Sequence, residues 1–343
     1  MKRNKHFSLI LIMALSLIIT ACGGETGKKT NDTSQGATSD LKVRPKIYVT
    51  TDALYDYASM IGGDKIEVEN LIQGVGDLHH WEPSPDLIRK LNEADLLLIN
   101  GAGLEGWLEE IQASLDPALK VVDTSQGIDI IKADDDDHDD HDDHDDHVDH
   151  DDHDDHDDHH HGGMDPHFWT SVKAGQKQAE NVYKALVAID PDNEATYEKG
   201  WKDLQAKFKD LSDQYDKALS DKKGETLIVP HLAFSYLCRD YGLKQVGLQG
   251  MHADGQLSAG RVREIVDLAG REGISVIFYD GYGDDSAAQN LAMEISGKAL
   301  PLYTLEVIES ADREKGENYF TLMKKNLDSI VESFEIDAKG DKR

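Results

Sequence analysis

Short β-rich runs alternate with amphipathic helices twice along this chain, once on each side of a single long apolar stripe. That rhythm confines it to a two-unit α/β architecture. In the first series, strands are expected at 46–50, 66–71, 95–100 and 119–122. Helices are expected at 54–61, stopped by Gly62-Gly63, from Ser84-Pro85 to about 94, and at 107–115. Ser84 reads as an N-cap with Pro85 in the first helical position. The second series has strands at 226–230, 245–248, 274–279 and 299–305, with helices at 232–241, 259–272, 286–296 and 318–334. Between the two series, Tyr197, Trp201, Leu204, Phe208, Leu211, Tyr215 and Ala218 recur at alternating spacings of 4 and 3, one continuous helical stripe over 193–219. A helix of that length spans roughly 40 Å, more than one small lobe needs, so it is expected to brace two lobes against hinge motion. The fold class is therefore α/β: two lobes, each a mainly parallel sheet flanked by helices, joined by one long rigid helix.

The first residues read as a targeting segment. Lys2, Arg3 and Lys5 precede an apolar run over 7–19, too short to span a bilayer comfortably. Ile19-Thr20-Ala21-Cys22 then resembles the lipobox of bacterial lipoproteins, which implies cleavage before Cys22 and lipidation of its thiol. The expected organisation is a signal peptide over 1–21 and a polar tether over 22–44. An N-terminal lobe over 45–192, a bracing helix over 193–219 and a C-terminal lobe over 220–338 follow. The chain would then sit outside the cytoplasm, held to the membrane by its lipid. Acylation of Cys22 leaves Cys238 without a disulfide partner, and its helical, apolar context reads as a small buried hydrophobe.

Charge narrows the partners. The chain carries 36 Lys plus Arg against 67 Asp plus Glu, a net charge of −31, which argues against nucleic acid. More than half of that excess lies in one stretch, 134–161, which holds 17 Asp, 10 His and Val148. Over 136–159 the unit Asp-Asp-His repeats, with Val148 in place of one Asp. Such a segment cannot bury apolar surface and repels itself, so it is expected to be disordered without metal. Its imidazoles are His138, His141, His144, His147, His150, His153, His156, His159, His160 and His161. They read as secondary, weak and multiple metal sites, an accessory trap or sensor. A purely solubilising acidic loop would not need them.

Outside the signal and this tract the histidines are His79, His80, His167, His231 and His252. His79 lies in a loop feeding a helix, and His167 stands just ahead of another. His231 and Asp280 directly follow expected strands. Open α/β sheets present ligand-binding groups at the carboxyl ends of their strands. If the lobes face one another, His79 and His167 from the first meet His231 and Asp280 from the second. Three imidazoles and a carboxylate suit tetrahedral Zn2+.

His79-His-Trp-Glu-Pro-Ser-Pro85, Asp165-Pro-His-Phe-Trp169, the His-x-Ala-Phe-x-Tyr run from His231 and Ile277-Phe-Tyr-Asp280 resemble, in order, the four ligand motifs of a known family. These are the metal-specific solute-binding lipoproteins of bacterial ABC importers, in their zinc branch. The resemblance spans about 45–334 and includes the long helix and a His/acid-rich insertion before the second ligand. It implies two α/β lobes that bind the ion between them and deliver it, as a monomer, to a membrane permease. The family's first ligand stands three residues before the Glu of Glu-Pro-Ser, which selects His79 and leaves His80 as a neighbour or substitute. His167 and His231 match directly. The fourth position is usually Glu in the zinc branch and is Asp280 here. In the manganese branch the third position is typically acidic; His231 therefore favours zinc over Mn2+, the runner-up cargo.

Two readings of other classes stay open at this point. Three histidines with an exchangeable ligand also describe a zinc hydrolase, although the chain has neither His-Glu-x-x-His nor Gly-x-Ser-x-Gly. A lipid-anchored surface adhesin is the other.

Overall fold

A computed structural model describes residues 44–72, 78–132, 163–250 and 257–340. The expected signal peptide, Cys22 and nearly all of the tether lie outside them, as do the Asp/His tract and His252.

The first lobe runs β1 (Lys46–Val49), α1 (Asp52–Gly62), β2 (Glu67–Asn70), α2 (Pro85–Leu91), β3 (Leu96–Ile99), α3 (Trp107–Ile111), β4 (Lys120–Asp123) and α4 (Val172–Ile189). The helix α5 (Glu194–Leu219) follows. The second lobe contains β5 (Thr226–Val229), α6 (Ser235–Tyr241), β6 (Lys244–Gly247), α7 (Ala259–Glu272), β7 (Val276–Tyr279), α8 (Ser286–Glu294), β8 (Lys298–Pro301), α9 (Ser310–Arg313) and α10 (Tyr319–Gly340).

Each sheet has four parallel strands, in the orders β2-β1-β3-β4 and β6-β5-β7-β8, so the same winding occurs twice. In both, a run of four apolar or β-branched residues that is buried throughout becomes an inner strand: Leu-Leu-Leu-Ile in β3 and Thr-Leu-Ile-Val in β5. Charged runs such as Glu-Val-Glu-Asn in β2 and Lys-Val-Val-Asp in β4 take the edges, where unpaired backbone faces water. Helix starts follow the capping chemistry. The Ser84 hydroxyl accepts from Leu87 N, and Ser258 does the same for Arg261 N. Gly242 and Gly273 close α6 and α7 in the left-handed conformation that glycine adopts without strain.

Among the elements with expected bounds the differences are at their ends; α4 is expected only as a helix after His167, and α9 is an addition. The α2 helix stops at Leu91 rather than near 94. The expected strand over 299–305 instead runs Lys298–Pro301, and beyond it the chain turns at Leu305, with φ +60°.

The α5 helix is the expected brace. Tyr197, Trp201, Leu204, Phe208, Leu211 and Tyr215 are buried, with Leu219 rather than Ala218 ending the stripe. It packs on α1 and α4 of the first lobe and on α10 of the second. Gly200 lies so close to α1 that an added Cβ would stand 2.4 Å from the Ile61 carbonyl oxygen. The Phe208 ring meets Tyr57 of α1 at a centroid distance of 5.6 Å and, on the other side, Tyr319 and Phe320 of α10 at 5.8 and 4.9 Å. The Tyr215 hydroxyl donates to the Met323 carbonyl at 2.7 Å. One helix thus buries its stripe against both lobes. No helix among the described residues is long and apolar enough to cross a membrane.

Candidate metal centre

All the strands of each sheet run the same way, so the loops past their carboxyl ends gather on one edge. Those loops carry the candidate ligands. His79 follows β2 and precedes the Ser84 cap of α2. His167 precedes a single 3-10 turn, Phe168–Thr170, that leads into α4. His231 lies two residues past β5, and Glu306 lies between β8 and α9.

The structure brings three imidazoles and one carboxylate together. His79 Nε2 is 3.2 Å from His167 Nε2. Glu306 Oε1 is 3.3 Å from His167 Nε2 and 3.0 Å from His231 Nε2. Ligand atoms of His79, His167 and Glu306 all lie within 4.8 Å of one another. His167, His231 and Glu306 are buried, whereas His79 is half-buried and marks the open side.

Glu306 is the ligand-type residue that sequence reasoning missed. It directly follows the expected strand 299–305, so the strand-end rule that selected His231 and Asp280 also applied to it. Asp280 lines the same cleft as His231 and Glu306, with both carboxylate oxygens hydrogen-bonded. Its Oδ2 accepts from the Thr304 hydroxyl at 2.5 Å, and its Oδ1 accepts from Tyr282 N at 3.1 Å. Burial, together with the nearby Glu306 charge, pushes its carboxyl above the ordinary range. His80, next in sequence to His79, is exposed.

The His167 and Glu306 positions have scaffolds. His167 Nδ1 is 2.9 Å from Asp165 Oδ1, which turns Nε2 toward the centre. Asp165 Oδ1 also accepts from His167 N at 2.9 Å. Burial disfavours a charged His167, yet the hydrogen bonds from Asp165 and Glu306 outweigh it and lift its pKa to about 9. Burial likewise raises Glu306, but the two imidazoles hold it well below the usual carboxylate range.

A buried polar relay supports the His167 loop. Asn100 Nδ2 donates to the Pro166 carbonyl at 3.0 Å, and Gln178 Nε2 donates to Asn100 Oδ1 at 2.9 Å. Glu105 accepts from Asn100 N, Gly101 N and the Thr50 hydroxyl. Around Glu306 the backbone is held more tightly still, because Leu305 is a non-glycine residue in the left-handed region, a conformation that costs about 1–3 kcal/mol. Trp169 Nε1 donates to the Thr304 carbonyl at 2.8 Å, and Asp280 holds the Thr304 hydroxyl.

The two lobes are bonded on both flanks of the centre. On one, the Tyr236 hydroxyl donates to Asp165 O (2.6 Å) and accepts from Ile131 N (3.0 Å). On the other, Arg313 pairs with Asp52 and Asp56 of α1 at 2.7 and 2.8 Å. A cleft of about 1050 Å³, lined in part by Asp52, His231, Asp280 and Glu306, adjoins the centre.

Residues 47–333 match the family described as zinc-uptake complex component A, periplasmic (ZnuA). The high-affinity zinc uptake system protein ZnuA of Bacillus subtilis is 32% identical over 331 residues, covering 96% of this chain and 98% of the relative. The zinc-binding lipoprotein AdcA of Streptococcus pneumoniae is 28% identical, covering 96% of this chain but 61% of its own, longer sequence. Among solved structures, the Zn(II)-bound ZnuA-like domain of S. pneumoniae AdcA superposes with a TM-score of 0.70 at 27% identity, covering 86% of this chain and 100% of that one. The family is one of solute-binding components, so a receptor displaces the hydrolase. With a match over most of its length and a relative aligned nearly end to end, the chain belongs to the ZnuA family of zinc-uptake binding proteins.

Proposed function

We propose that this protein is an extracytoplasmic receptor that captures Zn2+ between its lobes and delivers it to an ABC permease. The convergence of His79, His167, His231 and Glu306 at one point between the lobes carries this reading. Three imidazoles and one carboxylate are the donor set that tetrahedral Zn2+ favours over Mn2+, which leans to oxygen. Glu306 is the fourth ligand and Asp280 a support of its loop through the Thr304 hydroxyl, a reassignment of the role that the sequence alone gave to Asp280. The receptor is a monomer held to the membrane by lipid on Cys22. The tract over 134–161 adds weak zinc sites beside the tight one.

Metal analysis of the purified protein tests the assignment. One tight Zn2+ is expected in the wild type, lost in His79→Ala, His167→Ala and His231→Ala. Glu306→Ala should weaken it more than Asp280→Ala does. A single tight Mn2+ taken in preference to Zn2+ would overturn the zinc reading, and a larger loss in Asp280→Ala would restore Asp280 as the ligand.

A further inference from the structure

We infer that Asp52, in the first lobe, is a positioning residue for the metal centre. It holds from across the lobe boundary the backbone that carries Glu306. The inference rests on the metal-receptor reading above and adds a residue that no ligand motif contains.

Glu306 lies on the connection between Pro301 and Ser310, part of the second lobe by sequence. Upstream, this connection is fixed within its own lobe. Tyr303 N donates to Asn326 Oδ1 and Asn326 Nδ2 donates to Tyr303 O, each at 2.8 Å. Between them and Glu306 comes the left-handed Leu305, which persists only where the surroundings over-determine it. Downstream, two residues past Glu306, Ile308 N donates to Asp52 Oδ2 at 2.5 Å. Further on, Arg313 pairs with Asp52 Oδ1 at 2.7 Å and with Asp56. Tyr319 N donates to Asp56 Oδ2 at 2.7 Å. The downstream half of the ligand loop is thus fastened to α1 of the other lobe.

Asp52 suits that task. It is buried in the first turn of α1, where the helix amide dipoles favour a carboxylate. Asn70, the last residue of β2, donates to its Oδ1 at 2.8 Å and fixes its rotamer. Its other oxygen is then presented to Ile308. Separating the lobes breaks the Asp52–Ile308 bond and frees Glu306 in the same movement. Opening and loss of the carboxylate ligand become one event.

The test compares Asp52→Ala, Glu306→Ala and the double variant by zinc competition against a chelating dye and by the visible spectrum of bound Co2+. Asp52→Ala is expected to weaken zinc binding about tenfold to a hundredfold, the range for an outer hydrogen-bond partner. In the Glu306→Ala background, removing Asp52 should change affinity less than about twofold, because the positioned group is already gone. The Co2+ spectrum of Asp52→Ala should move toward that of Glu306→Ala. Zinc affinity within about twofold of wild type, or an equal loss with and without Glu306, overturns the inference and leaves Asp52 a stability residue only. Should the alanine variant fail to fold, Asp52→Asn applies the same criteria, with a threefold to tenfold loss expected. Failure of the receptor reading itself has a different signature, a wild type without one tight zinc site.

Discussion

The two lobes wind their sheets in the same order yet supply ligands in different ways. In the second lobe, His231 and Glu306 follow their strands by two and five residues; the sheet places His231, and bonds from Trp169, Asp280 and Asp52 to Thr304 and Ile308 complete the placing of Glu306. In the first, His79 stands nine residues past β2, and His167 follows the whole 134–161 insertion. Residues so far from a strand need scaffolds of their own, and for His167 the Asn100–Gln178–Glu105 relay and Asp165 are what the fold provides. A short strand-to-ligand distance makes a position rigid by default. A long one has to be rigidified by buried polar bonds, each of which is a point where the site can be loosened.

The sharpest test of the contrast removes the ligands themselves. His167→Ala and His231→Ala should each abolish tight zinc binding, a loss exceeding the roughly 10–100-fold of an outer-partner change. Isothermal competition titration would reveal any tight binding that survives. Next in size, Asn100→Ala should cost about 10–100-fold through the Pro166 carbonyl without touching a ligand. If zinc affinity held while only thermal stability fell, the scaffold account of the first lobe would fail.

Proton competition gives a smaller, graded effect. Zinc requires a neutral imidazole, and His167 holds its proton to about pH 9 in the metal-free protein. Apparent affinity should rise by up to about tenfold per pH unit from pH 7 to 9 and then level. Stability of the metal-free protein should move oppositely. A raised histidine pKa contributes stability that is complete below about 6.5 and is lost as pH rises through about 9. Melting of the metal-free protein across that window checks the sign. The smallest effect belongs to the insertion. Lys132 pairs with Met164 as an isolated antiparallel bridge, so the chain leaves and rejoins the lobe at neighbouring points. Deleting 134–161 should shift the tight affinity by less than about twofold while removing weak zinc equivalents. A vanished tight site would show that the first lobe depends on the tract.

Periodicity made most of the architecture legible. The alternation of buried four-residue runs with capped helices gave both sheets, and the 3/4 stripe gave α5 nearly to the residue. Three of the four converging residues were legible for a related reason, since a histidine beside a strand end or helix start is conspicuous. Glu306 was not, because acidic residues are common in this chain and two stood near strand ends. Choosing between Asp280 and Glu306 depends on which way the backbone turns. That turn comes from a strained Leu305 between Thr304, held by Trp169 and Asp280, and Ile308, held by Asp52, contacts as many as 256 residues apart that no local pattern encodes.

The placement of the aromatic rings has an optical consequence. Of the four tryptophans, Trp169 bonds Thr304 across the lobes with its ring 5.3 Å from that of His167. Trp81, two residues from His79, meets Trp107 edge-on at 5.3 Å. Trp201, in the brace itself, instead stacks on Tyr183 of α4. Three indoles therefore report on the surroundings of the centre, while the fourth serves as an internal reference. Cargo arrival should be visible as a change in intrinsic emission, with no dye attached.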